Sequence, residues 1–198
     1  MKFILIVFVL SIAITNLVAQ EKVMDEALPY YEVPQNPEKY TAGTVAARMV
    51  DGLGFRYRWA TENLRAEDLN YKPSDGARTT LETIDHILGL SRVIVNATLK
   101  TPTDLTNEKA LLSYKEKRNE TLENFKRASQ ILMEAANVED FKIQFISGSG
   151  KSEYPFWNNI NGPIADAIWH AGQVASFRRA SGNPISAKVK FLEGKIKE

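Results

Sequence analysis

Four long stretches of this sequence repeat apolar residues at intervals of three and four positions, and this spacing limits the fold more than any other feature. Side chains at those intervals fall on one side of a helix, so each stretch is predicted to form a helix with one buried face. The predicted helices cover residues 41–64, 79–99, 107–136 and 161–182. Four such helices favour an all-α fold, a four-helix bundle, as the economical way to bury four apolar faces.

Capping and stop signals mark the ends of these helices. Thr41 can cap the first helix, and Thr79 with Glu82 has the spacing of a capping box at the start of the second. Pro163 is compatible with the first turn of the fourth helix, and Gly182-Asn183-Pro184 should end it. These signals predict the order of the elements as well as their existence.

The second and third helices are expected to be buried in different ways. The second carries apolar residues on most sides and should lie deep in the bundle. The third should turn its charged run Lys115–Arg118 towards solvent and its apolar side chains inward. Its predicted inward residues are Leu111, Tyr114, Leu122, Phe125, Leu132 and Met133.

The segments outside the helices are short. Residues 141–159 alternate apolar and polar side chains before a Ser-Gly-Ser-Gly run, which predicts a short hairpin or an irregular ordered insertion between the third and fourth helices. Residues 20–39 contain three prolines and should be extended, and residues 186–198 form a tail that can add a strand or stay mobile. One domain, residues 40–185, is therefore predicted.

Residues 1–19 have the composition of a secretory signal peptide. Lys2 precedes an unbroken apolar run from Phe3 to Leu10, and Ala19 offers a small residue for cleavage. A retained membrane anchor is the alternative, but a spanning helix needs about 18 apolar residues and Thr15-Asn16 interrupt this run. We therefore predict export to the periplasm or the cell exterior, without stable membrane insertion after cleavage.

Charge and cysteine content exclude some classes of partner. The sequence has 25 Lys and Arg against 24 Asp and Glu, and loss of Lys2 with the leader (25 − 1 = 24) leaves a neutral chain. Such a chain is not suited to a nucleic-acid polyanion, so no nucleic acid is expected as a partner. Since cysteine is absent, neither a disulfide nor a lipid anchor on cysteine can form. A homodimer stays open, because no feature of the sequence encodes the oligomeric state.

Asp166 is the most unusual residue of the fourth predicted helix. It is the only formally charged side chain between Gly162 and Phe177, and an ionised carboxylate on a buried face is costly unless something compensates it. His170 follows one helical turn later, so the two side chains project from one face and can hold one ion. The other histidine, His86, lies in the second helix. If those helices are neighbours, the three residues form a set that suits zinc, iron, nickel or manganese.

Simpler interpretations stay open beside this one. A lone histidine in a helix is often a hydrogen-bonded core or boundary residue, and an Asp–His pair one turn apart can be a surface contact. Glu82, one turn before His86, could hold that ring in place, although the capping box already explains it. Three aromatic residues ahead of the fourth helix can wall the site, but packing in the core is the more common use of such side chains. They are Tyr154, Phe156 and Trp157.

Two segments resemble the DinB/YfiT-like superfamily. They are TTLETIDHILGLSRVIV at 79–95 and NGPIADAIWHAGQVASFRRASGNP at 161–184. HAGQ at 170–173, Arg178-Arg179 and the Gly-x-Pro stop match the family signature on the fourth helix, and His86 matches the histidine on the second. The resemblance implies an up-down-down-up four-helix bundle. It also implies a metal ion held by one histidine of the second helix and an HxxxH pair of the fourth.

One position departs from the family pattern. Asp166 stands where the family usually has the first histidine of that pair. A carboxylate is a competent ligand, so the change alters the preferred metal more readily than it abolishes binding. The resemblance thus implies a divalent metal ion at His86, Asp166 and His170, whose identity as zinc, iron, nickel or manganese stays open.

Three functions are compatible with such a site. Characterised members of the superfamily include metal-dependent hydrolases and transferases that depend on bacillithiol or mycothiol. The predicted export favours a hydrolase, because those thiols are kept in the cytoplasm. We therefore expect an exported metal-dependent hydrolase of a small molecule that the sequence does not identify. A non-catalytic protein that binds a metal ion or a small ligand is the alternative.

Overall fold

The computed structural model describes residues 28–108 and 110–197. The predicted signal peptide, residues 1–19, and the first part of the predicted extended segment lie outside these ranges, so export stays a prediction. Within the described ranges, no helix combines the length and the apolar character that crossing a bilayer requires.

The described chain contains helices of very different length and five short strands. The helices are α1 (Ala42–Ala60), α2 (Ala66–Asn70), α3 (Thr80–Thr98), α4 (Tyr114–Met133), α5 (Phe156–Asn159) and α6 (Ala165–Ala180). A π-helical segment, Ile160–Ile164, joins α5 to α6. The strands are β1 (Thr103–Asp104), β2 (Ile143–Ser147), β3 (Gly150–Tyr154), β4 (Val189–Lys190) and β5 (Lys195–Ile196).

The prediction of an all-α four-helix bundle is wrong, because two β-sheets accompany the helices. In the larger sheet β2 lies between β1, which is parallel to it, and β3, which is antiparallel. The smaller sheet pairs β4 with β5. The hairpin of β2 and β3 confirms the first of the two alternatives predicted for residues 141–159. We predicted this hairpin as an insertion between two helices. Its first strand, β2, also pairs with β1, so the hairpin belongs to a three-stranded sheet.

The four long helices α1, α3, α4 and α6 share one core. Both α1 and α3 pack against α4 and α6. Each long helix contributes side chains without solvent exposure, such as Leu53, Ile87, Phe125 and Val174. Because α3 and α6 are neighbours, a residue on the facing side of one can reach a residue on the other.

Two predicted caps are confirmed. The Thr41 hydroxyl accepts a hydrogen bond from the Thr44 N–H at the start of α1. At the start of α3, the Thr79 hydroxyl accepts from the Glu82 N–H at 3.1 Å, and the Glu82 carboxylate accepts from the Thr79 N–H at 2.7 Å. These reciprocal bonds satisfy backbone groups that have no partner within the helix.

The third long helix begins later than predicted. Ser113 and Glu116 form another capping box, so α4 starts at Tyr114 rather than near residue 107. Leu111, which was predicted to point inward, therefore lies before the helix and is fully exposed. The helix was predicted to start near residue 107 from apolar spacing alone. The pair of Ser113 and Glu116 was the stronger signal, because it marks the start of a helix.

The fourth long helix begins earlier than predicted. The helical run starts at Phe156 instead of near residue 161, and Pro163 lies inside it. In an α-helix the proline ring collides with a carbonyl of the preceding turn and its nitrogen donates no hydrogen bond. The π-helical turn around Pro163 is wider and relieves this conflict. The predicted end is confirmed, since Gly182 follows α6 with φ at +83°.

The N-terminal segment and the C-terminal tail pack against each other. The Val33 N–H donates to the Gly194 carbonyl at 2.8 Å. Gly194 has φ at +67°, and a Cβ placed there would lie 2.5 Å from a Val33 methyl carbon. The tail forms the strand pair β4 and β5, so the strand alternative for residues 186–198 is confirmed.

Candidate metal centre

Helices α3 and α6 bring the three predicted metal ligands together. His86 Nε2 lies 3.0 Å from Asp166 Oδ2, and His170 Nε2 lies 3.3 Å from Asp166 Oδ1. One ligand atom from each residue lies within 4.8 Å of the other two. The two imidazole rings meet edge to face, with centroids 4.7 Å apart. This group of side chains could hold a metal ion.

Gln173 orients the ring of His170. The Nδ1 atom of His170 lies 2.6 Å from the Gln173 side-chain oxygen, and an amide oxygen can only accept a hydrogen bond. Nδ1 therefore donates to this oxygen, which leaves Nε2, 3.3 Å from Asp166 Oδ1, as the ring nitrogen available to a metal ion.

A hydrogen bond on the outer ring nitrogen is also the usual support of a metal-binding histidine. In the sequence, Gln173 was noted only as the last residue of the HAGQ motif at 170–173. Its position three residues after His170 was the available signal, because side chains at that spacing are neighbours on a helix.

The exposure of the site corrects one premise of the prediction. The side chain of Asp166 is 40% exposed and that of His86 33%, while that of His170 is 13% exposed. Water can solvate Asp166, so desolvation of its charge does not explain why it lies beside two histidines. The same exposure leaves space beside the three side chains for water or a substrate.

Other residues considered for the site have different contacts. The Glu82 carboxylate binds both the N–H and the hydroxyl of Thr79, and these hydrogen bonds lower its pKa. Phe156 is buried in the core, whereas Trp157 is 72% exposed. The ring of Tyr154 packs against Phe145 in the hairpin. Glu82 is therefore a capping residue, and core packing is confirmed for Phe156 alone.

Arg178 and Asn183, which belong to the family-like signature, stabilise the end of α6. Arg178 is buried and donates to the carbonyls of Trp59 and Asn183 at 2.8 and 2.6 Å. Asn183 donates in turn to Asp68 at 2.7 Å. These contacts fix the ends of α1 and α6 against each other, and they lie outside the cluster of His86, Asp166 and His170.

The fold and the site define a mixed, mainly helical protein with a candidate centre of two histidines and one carboxylate. Comparison of the chain with models of known protein families, with curated proteins and with solved structures finds no match. The resemblance to the DinB/YfiT-like superfamily therefore stays a prediction that rests on the residues quoted above.

Proposed function

We propose that the protein binds one divalent metal ion at His86, Asp166 and His170 and hydrolyses a small molecule there. The observation that carries the proposal is the convergence of the three side chains from α3 and α6, with Gln173 orienting His170. Two imidazole nitrogens and a carboxylate oxygen suit zinc, iron, nickel and manganese. Three protein ligands also leave coordination positions open, which is the arrangement of catalytic rather than structural metal sites.

Each residue has a role that follows from its contacts. His170 would bind through Nε2, because Gln173 occupies Nδ1. His86 would also bind through Nε2, the nitrogen that faces Asp166. Asp166 would bind through one oxygen and keep the other free to accept a proton from an attacking water. A bound divalent ion supplies Lewis acidity and lowers the pKa of water beside it.

Two other functions remain alternatives. A non-catalytic metal-binding protein would use the same three ligands, and a solvent-exposed site is compatible with it. A thiol-dependent transferase would also use them, but the predicted export separates the protein from the cytoplasmic thiols. Activity measurements must therefore follow the demonstration of the metal.

The first experiment is elemental analysis of the purified wild-type protein beside His86→Ala, His170→Ala and the control Asp75→Ala. Asp75 is an exposed carboxylate that pairs with Lys72. We expect about one equivalent of metal in the wild type and the control, and its loss from both histidine variants. A wild-type protein without stoichiometric metal, or a His170→Ala variant that retains it in full, would refute the metal site.

The second experiment tests hydrolysis separately. The metal-loaded protein is assayed on nitrophenyl esters, anilides and phosphates, before and after chelation and after return of the metal. Turnover should disappear with chelation, return with the metal and be absent from Asp166→Ala. A full metal site without turnover on the panel would contradict the hydrolase and leave the non-catalytic binding protein as the explanation.

A further inference from the structure

A cavity of about 750 Å³ lies between the N-terminal segment and helices α1 and α4. None of the three candidate metal ligands lines it. Its volume is in the range of small-molecule binding sites, which is about 300–1,000 Å³. Its walls are mostly apolar and include Pro29, Pro34, Pro37, Tyr30 and Met133.

Asp51 of α1 lies at the base of this cavity. It is 1% exposed, and its Oδ1 accepts a hydrogen bond from the Tyr30 hydroxyl at 3.2 Å. Its Oδ2 is buried and has no hydrogen-bond partner in good geometry among the described residues, although the Ser129 hydroxyl lies near enough to lower the pKa of the carboxyl. Burial raises the pKa of Asp51, and the nearby Ser129 hydroxyl and Arg48 offset only part of that effect. A buried carboxylate oxygen without a partner is unfavourable, and a ligand with a donor would satisfy it.

The backbone of Tyr30 is an independent indication of a site. Tyr30 has φ at +67°, in the left-handed region that bulky residues rarely adopt. Its ring packs so closely on α1 that a Cβ at Gly54 would lie 2.4 Å from a ring carbon. Strained backbone of this kind is concentrated at functional sites. Here the strained residue is the one that places a phenol oxygen beside Asp51.

We propose that this cavity binds a small, largely apolar molecule that carries an amino group, with the amine donating to Asp51. The Tyr30 hydroxyl uses its hydrogen on Asp51 and keeps lone pairs that can accept. The base of the cavity therefore offers two acceptors close together, which the several N–H groups of an amine can satisfy. Lys39 and Lys126 also line the cavity and are balanced by Glu38 and Asp51, so its overall charge does not select the ligand. The ligand is selected by the hydrogen-bond acceptors at the base of the cavity.

Three probes of one shape test this selection. They are 2-phenylethylamine, 2-phenylethanol and 3-phenylpropanoate, whose binding is measured by ligand-observed NMR at millimolar concentration. The amine should bind most tightly. Asp51→Asn should weaken amine binding about tenfold or more, because a charged acceptor makes the stronger hydrogen bond. Asp75→Asn, the matched change at an exposed carboxylate, should leave amine binding unchanged.

A second variant keeps the test decisive if Asp51→Asn fails to fold. Gln130 is an exposed residue of α4 that lines the cavity, and Gln130→Trp should fill it without altering Asp51. Loss of amine binding in a Gln130→Trp protein with the wild-type circular dichroism spectrum supports the proposal. Absence of amine binding to the wild type overturns it. So does equal binding of the propanoate, or amine binding that survives Gln130→Trp.

Discussion

Asp68 links the short helix α2 to the turn that ends α6, and its replacement by asparagine should destabilise the protein. Its side chain has no solvent exposure. Oδ1 accepts from Ser181 Oγ at 2.5 Å and from Arg65 Nη2 at 2.8 Å. Oδ2 accepts from the Arg65 backbone N–H at 2.8 Å and from Asn183 Nδ2 at 2.7 Å. One carboxylate thus receives donors from three residues.

The size of the effect follows from these bonds. Asparagine keeps the shape of aspartate but replaces one acceptor oxygen with an NH₂ donor, so at least two of the donors lose their acceptor. Leaving a buried donor unsatisfied costs about 1–3 kcal/mol. Since the Arg65 side chain is half-exposed and can turn to water, at least one buried donor stays unsatisfied, and we expect Asp68→Asn to lower the free energy of unfolding by about 1–3 kcal/mol.

The pH dependence gives a second readout. The hydrogen bond from Arg65, followed by those from Ser181 and Asn183, holds the pKa of Asp68 well below its usual value. The unfolded chain therefore binds a proton at Asp68 in a range where the folded chain does not. Stability from this residue is present above about pH 4 and is lost as the pH falls further. Asp68→Asn should lose less stability on acidification than the wild type does.

Urea denaturation followed by tryptophan fluorescence, at neutral pH and at several acidic values, measures both effects. Glu67→Gln is the matched control, because Glu67 also pairs with Arg65, at 2.9 Å, but is 64% exposed. Exposed ion pairs contribute little to stability. If Asp68→Asn and Glu67→Gln unfold at the same urea concentration and show the same acid dependence, Asp68 does not stabilise this junction.

Three further predictions concern the metal site and the N-terminal segment. Gln173→Leu should weaken metal binding about 10- to 100-fold by releasing the ring of His170, whereas Gln173→Glu should preserve it. Competition with a chelating dye measures the metal affinity of both variants. Equal losses of affinity would contradict an orienting role. Gly54→Ala should destabilise the protein by about 1–3 kcal/mol through a clash with Tyr30, while Gly52→Ala should be neutral or stabilising, as urea denaturation would reveal. Added zinc should raise the melting temperature of the wild type but not of His170→Ala, and an equal rise in both would indicate binding elsewhere.

Local signals in the sequence predicted the existence of the long helices and the convergence of His86, Asp166 and His170. Thr79 and Glu82 form the predicted capping box, and Gly182 ends the fourth helix as expected. The prediction that His86 lies near Asp166 required only that their two helices be neighbours and that the two residues lie at the same height on the facing sides. Such predictions succeed because each depends on residues within one or two turns of a helix.

Features that depend on contacts distant in the sequence were missed. Strand β1 is only two residues long and exists because it pairs with β2, some forty positions later. The earlier start of the fourth long helix, with Pro163 inside it, was missed because the π-helical turn that accommodates the proline was not foreseen. The burial of Asp166 was overestimated because neighbouring residues do not determine how much solvent reaches a helix face. The cavity base is another such feature, since Tyr30 meets Asp51 only after the N-terminal segment packs on α1.

The contact between Val33 and Gly194 places a constraint on the order of folding. The tail that holds the segment walling the cavity is made more than 150 positions after that segment. During translation the segment can rest on α1 through Tyr30, but its backbone hydrogen bond to residue 194 can form only after that residue has left the ribosome. This hydrogen bond therefore forms only after the intervening helices have been made, and occupancy of the cavity would report on whether the N-terminal segment and the tail have met.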